Sequence, residues 1–245
     1  MSMRIGWMSV TAAWMATMSL SACRSEPAKD TPSDTSAVAT ATSDTESTVP
    51  SGKDARPALL IVGTSLTAGL GLDPGDAYPA ILQGKLDSAG VGVRVVNAGY
   101  SGETSAGALR RLEWLLRDSA RFVVIETGAN DGLRGQDVDS TRATLRAIVR
   151  RVKEALPDAT IFLAQMESPP NLGARYTTAF RAMFPAVARE EGITLLPFLL
   201  DGVAGVAAMN QGDGIHPNEA GALIVAENVF RAVLPVLRER LGTGI

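Results

Sequence analysis

Short apolar runs and longer helical patterns alternate along the chain from residue 58 onward. Five runs rich in Val, Ile and Leu are continuously apolar, which is typical of strands buried on both faces of a parallel sheet. These runs cover residues 58–62, 93–97, 122–126, 160–164 and 193–196. Between and after them, apolar side chains recur at helical spacing over residues 109–116, 145–156, 180–187 and 222–237. The alternation predicts a parallel sheet with helices on both faces.

Prolines and strand ends refine this prediction. The helical stripe over 145–156 ends before Pro157, and the stripe over 180–187 contains Pro185. We expect Pro185 to kink or break its helix, because proline removes a backbone donor and clashes with the preceding turn. In a parallel sheet, ligands bind beyond the carboxyl ends of the strands. The residues directly after each strand are therefore the first candidates for chemistry.

The first 22 residues have a different pattern. Arg4 precedes a mostly apolar stretch over residues 5–20, which is shorter than the roughly 20 apolar residues that span a bilayer. It is typical of a signal-peptide core. The stretch ends in Leu20-Ser21-Ala22-Cys23, which resembles the lipobox of bacterial lipoproteins. We expect a signal peptide over 1–22 and a lipid anchor at Cys23; an ordinary secretory signal with a chance cysteine is the alternative.

The segment after Cys23 predicts a disordered tether up to residue 56. Of the 33 residues from 24 to 56, twelve are Ser or Thr, ten are charged and none is aromatic. Such a composition cannot bury enough apolar surface to offset the entropy of ordering. The expected lipid anchor places the protein in the cell envelope. Residue 24 is Arg rather than the aspartate linked to inner-membrane retention, which favours the outer membrane or the periplasmic face in a cell that has an outer membrane. One domain remains, over residues 57–245.

Composition and charge exclude several classes of function. The chain has 23 Lys and Arg against 26 Asp and Glu, a net charge of −3, and no long basic run, so we expect no nucleic-acid partner. A single cysteine excludes an intrachain disulfide. One cysteine and one histidine cannot form a zinc site of the His/Cys kind. Any imidazole base must be His216.

Three segments carry candidate side-chain chemistry, two of them directly after strands and one before the last helix. Gly63 permits a tight turn that places Ser65 at the end of the first strand, near a helix start, where the serine is either a nucleophile or a helix cap. Asn130, after the third strand, can offer an amide N–H to the same crevice, although asparagine is also a usual turn residue. Before the last helix, Asp213 and His216 are three residues apart, so the carboxylate can orient the imidazole as in a Ser-His-Asp triad.

Together these segments resemble the blocks of the SGNH (GDSL-type) hydrolase family, which supply Ser, Gly, Asn and His in that order. The resemblance covers residues 58–240 and is greatest for the bacterial arylesterase, thioesterase and lysophospholipase group. The family implies a flavodoxin-like three-layer α/β/α fold with a five-stranded parallel sheet. The motifs that carry the resemblance are GTS at 63–65, NAGYSGET at 97–104, GANDGLRG at 128–135, PPNLG at 169–173 and DGIHPN at 213–218.

The resemblance implies a role for each candidate residue. Ser65 is the expected nucleophile, His216 the general base and later acid, and Asp213 the orienting carboxylate. The expected oxyanion hole consists of the Ser65 N–H, the Gly99 N–H and the Asn130 side-chain amide. The chemistry is acyl transfer through an acyl-serine and requires no metal or organic cofactor.

The same resemblance gives a substrate class. We expect a small-molecule or lipid substrate: a short- to medium-chain ester, a thioester or a lysophospholipid, with Leu133, Pro170 and Asn171 at the acyl pocket. Thr64 replaces the aspartate that usually precedes the serine in this family, and its hydroxyl can replace part of the bracing that we attribute to that aspartate. A carbohydrate O-deacetylase and a non-catalytic binding lipoprotein are the alternatives.

Overall fold

The computed structural model describes residues 54–242 of the chain. The expected signal peptide, Cys23 and the tether up to residue 53 lie outside the described residues, so these expectations stay predictions. The last three tether residues are described, and Arg56 forms ion pairs with Asp54 and, at 3.0 Å, with Asp87.

Five parallel strands form one sheet at the centre of the described domain. In sheet order they are β2 (Arg94–Gly99), β1 (Ala58–Gly63), β3 (Phe122–Ile125), β4 (Thr160–Gln165) and β5 (Thr194–Phe198). The five predicted strands are confirmed with small shifts of their ends. The strand order changes direction at β1, which lies between β2 and β3. A crevice for ligands is expected at this point, beyond the carboxyl ends of the strands.

The described residues form seven helices around the sheet. They are α1 (Ser65–Ala68), α2 (Tyr78–Ser88), α3 (Ser105–Leu115), α4 (Ala129–Leu133), α5 (Val138–Ala155), α6 (Ala174–Glu190) and α7 (Glu219–Leu241). Helix α2 packs against α7, and α3, α5 and α6 pack side by side as a second group. The predicted three-layer α/β/α fold is confirmed. Two short 3₁₀ turns, Pro170–Leu172 and Ala207–Met209, lie in the loops at the carboxyl edge.

We expected Pro185 to kink or break its helix; helix α6 runs through this proline, so the break does not occur. Proline costs the helix a backbone hydrogen bond, but most helical stability in proteins comes from packing of the apolar face. Phe180, Phe184 and Val187 of α6 are wholly buried, and the two phenylalanine rings meet edge to face at 5.5 Å. Helix α5 ends at Ala155, before Pro157, as predicted.

Candidate active site

The nucleophile candidate lies at the junction of β1 and α1. Thr64 is the N-cap residue of α1, has extended backbone geometry, and accepts the Leu66 N–H on its hydroxyl. Ser65 is the first residue of the helix and is 7% exposed. The sequence pattern of an apolar run followed by glycine and a capping hydroxyl therefore places Ser65 as predicted. Its hydroxyl lies beyond the carboxyl end of the strand, where the sheet opens its crevice.

Ser65, His216 and Asp213 form one hydrogen-bonded row. His216 Nε2 lies 2.9 Å from Ser65 Oγ, and His216 Nδ1 lies 2.5 Å from Asp213 Oδ2. The other carboxylate oxygen of Asp213 accepts the backbone N–H groups of Ile215 and His216 at 2.9 and 3.0 Å. These hydrogen bonds, above all the one from the imidazole, hold the pKa of Asp213 well below its usual value. The carboxylate thus stays charged and keeps the proton on Nδ1, which leaves Nε2 free to accept the serine proton.

The loop that carries the histidine is tied to the loop that follows α1. Gln211 donates its backbone N–H to the His216 carbonyl at 2.7 Å. Its side-chain amide donates to the Leu70 carbonyl at 2.7 Å and to the Pro217 carbonyl at 2.9 Å. Gln211, which the sequence did not mark as part of a site, therefore joins the loop of the base to the loop that follows the helix of the nucleophile.

Asn130 reaches the same crevice from α4. Its side-chain nitrogen donates one hydrogen bond to the Glu103 carbonyl at 2.9 Å, and the second amide hydrogen remains for a ligand. The neighbouring Asp131 accepts the N–H and the hydroxyl of Ser105 at 2.8 and 2.6 Å, which fixes α4 against α3. The structure therefore brings Asn130 together with Ser65, as the sequence predicts.

Gly99 does not have the predicted place in the oxyanion hole. Its N–H already donates to the side-chain oxygen of Asn97 at 2.9 Å. A Cβ atom at Gly99 would lie 2.2 Å from the Ala68 nitrogen, so this glycine serves the close packing of β2 on α1. The expectation for Gly99 is therefore wrong. Gly102, three residues later, lies on the cleft beside Ser65 and Asn130, and its N–H makes no hydrogen bond within residues 54–242.

A cleft of about 600 Å³ opens beside the triad of Ser65, His216 and Asp213 and is mostly apolar. Leu133 and Pro170 line it as predicted, whereas Asn171 does not. Asn171 lies instead in the 3₁₀ turn that follows Pro169. The strand ends and loops that follow β4 and β5 add apolar walls that the sequence analysis did not identify: Met166, Phe198, Leu200 and Ala204. Apolar residues at strand ends look like core residues in a sequence, so nothing marked them as part of a site.

A wholly buried carboxyl group, Glu126, lies beneath the nucleophile. It accepts the Thr64 N–H at 2.8 Å, the Thr64 hydroxyl at 3.0 Å and the Thr67 hydroxyl at 2.7 Å. The Thr67 hydroxyl also bonds to the Tyr78 hydroxyl at 2.8 Å. Burial raises the pKa of Glu126 to about 7, although these hydrogen bonds oppose the rise. The sequence analysis read Glu126 only as the end of the third apolar run.

Within the described part of the chain, no group of three or more His, Cys, Asp and Glu side chains could hold a metal ion. A serine, a histidine and a carboxylate in hydrogen-bonded succession, at the carboxyl edge of a parallel sheet, define a serine hydrolase of the α/β class. Residues 61–224 match the GDSL-like Lipase/Acylhydrolase family, and the chain belongs to this family.

Characterised relatives agree with this assignment. Esterase TesA of Pseudomonas aeruginosa is 43% identical over 180 residues, which are 73% of this chain and 89% of that protein. Thioesterase 1/protease 1/lysophospholipase L1 of Escherichia coli K12 is 41% identical over 73% of this chain and 84% of its own length. The crystal structure of the psychrotrophic esterase EstA from Pseudoalteromonas sp., inhibited by monoethylphosphonate, matches with a TM-score of 0.70 at 34% identity, covering 74% of this chain and 98% of that one. The predicted family and the predicted activity, a serine hydrolase acting on ester bonds, are confirmed.

Proposed function

We propose that the chain cleaves short- to medium-chain carboxylic esters, thioesters or lysophospholipids through an acyl intermediate on Ser65. The observation that carries this proposal is the unbroken row from Asp213 through His216 to Ser65 at the wall of an apolar cleft. The hydroxyl is already hydrogen-bonded to the base that must take its proton.

Acylation begins when His216 Nε2 takes the proton from Ser65 Oγ as that oxygen attacks the acyl carbon. The carbonyl oxygen becomes an oxyanion, and the N–H groups of Ser65 and Gly102 and the free amide hydrogen of Asn130 are the proposed donors. Donors that are already in place stabilise the developing charge without reorganisation. The imidazolium then gives its proton to the departing alcohol or thiol, and Asp213 stabilises the positive charge on the ring.

Deacylation repeats these steps with water as the nucleophile. His216 takes a proton from water, hydroxide adds to the acyl carbon, and the proton passes to Ser65 Oγ as the acid product leaves. The same oxyanion donors serve both halves of the reaction. No proton or electron has to come from a group outside this site, so the side chains of the triad and the three N–H donors suffice.

The acyl group of the substrate fits the apolar cleft. The apolar residues that line it include Leu133, Met166, Pro170 and Ile215, and the same cleft is lined by Asn130 and His216. The relatives named as an esterase and as a thioesterase and lysophospholipase support an acyl chain as the recognised group. A cleft of about 600 Å³ lies within the range of small-molecule sites, which favours chains of short to medium length.

We further propose that the mature protein is a lipoprotein anchored through Cys23 in the cell envelope. The lipobox-like tetrapeptide after an apolar stretch supports this, and a multiply acylated cysteine holds stably in a bilayer. Acyl-CoA is a cytosolic thioester, so this location disfavours it as the physiological substrate. Mass spectrometry of the mature N-terminus should show lipid on Cys23; an unmodified cysteine there contradicts the anchor.

Hydrolysis of a series of esters of increasing chain length tests the substrate class. The panel should include p-nitrophenyl esters, a lysophospholipid and acetylated sugars, with Ser65→Ala as the control. We expect the highest kcat/KM for short to medium acyl chains and no turnover by the control. Turnover confined to acetylated sugars would contradict the proposed substrate class.

A further inference from the structure

Arg111 of α3 lies behind the loops that carry the proposed oxyanion donors. Its Nη2 donates to the Ala98 carbonyl at 2.8 Å and to the Gly63 carbonyl at 3.2 Å. Its Nε lies 2.8 Å from each carboxylate oxygen of Glu103, and Nη2 lies 2.7 Å from one of them. We propose that Arg111 and Glu103 form a positioning pair that holds the oxyanion hole in place. This inference rests on the proposed function of the site.

The contact with Gly63 fixes the segment before the nucleophile. The Gly63 carbonyl accepts Arg111 and also the Tyr100 N–H at 2.9 Å. The N–H at the other end of the same peptide bond belongs to Thr64 and donates to Glu126. Both ends of this peptide unit are therefore held, and the Ser65 N–H follows it directly. Arg111 thus ties the carbonyl end of this peptide unit to β2, through Ala98.

Glu103 connects the arginine to the other two donors. Its carboxylate is held by Arg111, its carbonyl accepts the Asn130 amide at 2.9 Å, and its peptide bond joins it to Gly102. A shift of Glu103 would therefore move the Gly102 backbone and the acceptor that orients Asn130 together. The Glu103 side chain is only 7% exposed, against 23% for Arg111, so water cannot replace the lost partner well.

The geometry favours arginine over lysine at this position. One guanidinium reaches a carboxylate and two carbonyl groups that belong to three chain segments, and its planar fork fits the carboxylate side-on. A lysine ammonium is a compact point charge without that fork. Arg111 does not line the substrate cleft and donates only to protein oxygens, so it acts through the donors rather than on the substrate.

Steady-state kinetics of Arg111→Lys and Arg111→Met on a soluble ester tests the pair. We expect kcat to fall about 10- to 100-fold with KM within about twofold, since removal of one oxyanion donor costs about 10²–10³ in turnover. Arg110→Ala is the matched control, because this neighbour on the same helix is exposed and its side chain has no hydrogen bond or ion pair within residues 54–242. It should keep the parent kcat.

Measuring the Arg111→Lys effect on kcat in the Asn130→Ala variant distinguishes a positioning role of Arg111 from a general loss of fold. If Arg111 acts through the donors, Arg111→Lys should cost clearly less in this background than in the parent, because members of one unit are non-additive. Full additivity, an effect on KM alone, or an unchanged kcat in folded Arg111→Lys would overturn the proposal. If Arg111→Met does not fold, the milder lysine variant decides. Retained turnover in Ser65→Ala would instead contradict the proposed function, whatever the arginine variants do.

Discussion

At the residue scale, Glu126 links the core to the nucleophile. The carboxyl group is wholly buried and receives hydrogen bonds from Thr64 and Thr67, one residue before and two residues after Ser65. The other titratable group that faces it is Tyr78, through the Thr67 hydroxyl, and burial raises the pKa of Tyr78 well above 10.0. Burial raises the pKa of Glu126 to about 7, so its charge changes near neutral pH.

The raised pKa of Glu126 predicts a pH dependence of stability. Its pKa is about 7 when folded and near 4.5 when exposed, so the folded state binds more protons between these values. The contribution of this group to the free energy of unfolding is thus fully present below pH 4.5. It falls by roughly 3 kcal/mol as the pH rises through about 7. Urea unfolding from pH 5 to pH 8 should show this loss in the parent. Glu126→Gln, which resembles the protonated form, should lack this loss. If the free energy of unfolding falls equally between pH 5 and pH 8 in both proteins, the role given to Glu126 is contradicted.

Thr64→Asp tests the departure from the usual family motif. An aspartate would face Glu126 in place of a hydroxyl that donates to it at 3.0 Å. Two carboxyl groups this close share a proton, and the pKa of one rises further. We expect the variant to hydrolyse esters at pH 6 and to lose stability more steeply than the parent above pH 7. Ester hydrolysis at pH 6 and urea unfolding at pH 6 and above pH 7 check this. A variant that is folded but inactive at pH 6 would show that this loop requires the hydroxyl.

For the elements, hydrophobic patterning was sufficient to predict the sheet and to place Ser65 and Asn130 at its carboxyl edge, whereas His216 was found as the single histidine, three residues after Asp213. Buried parallel strands are apolar throughout, and the residues after them meet at one edge. The pattern could not distinguish Gly99 from Gly102, because the Gly99 N–H is taken by the Asn97 side chain. Likewise, it predicted a kink or a break at Pro185, because the tertiary packing of Phe180 and Phe184 that keeps α6 continuous is not visible in the pattern.

The two glycines of the β2–α3 segment should respond differently to alanine. In Gly99→Ala the new Cβ meets the Ala68 backbone at 2.2 Å, so we expect a loss of stability of about 1–3 kcal/mol or more. Gly102 has a φ of +77° but open space around it, so alanine there should cost about 1 kcal/mol from backbone strain. Thermal unfolding of both variants checks the order. A larger loss for Gly102→Ala would contradict the packing described for Gly99.

At the scale of the whole molecule, the catalytic groups all lie within residues 54–242. The cleft is lined by residues from 64 to 216, and no catalytic candidate lies in the predicted tether. A protein that starts at Ala55 should therefore hydrolyse a soluble ester with the same kcat/KM as the full mature chain. Keeping Arg56 preserves its ion pair with Asp87. A large drop in kcat/KM for the shortened protein would show that the tether belongs to the catalytic unit.

The central claim is that Ser65 is the nucleophile of an ester hydrolase. Its most direct test is peptide mapping by mass spectrometry after reaction with a fluorophosphonate, which forms a stable bond to an activated serine. We predict one adduct per chain, on the peptide that contains Ser65, and none on Ser65→Ala. An adduct on another residue, or a Ser65→Ala protein that is still labelled at the parent rate, would contradict the account.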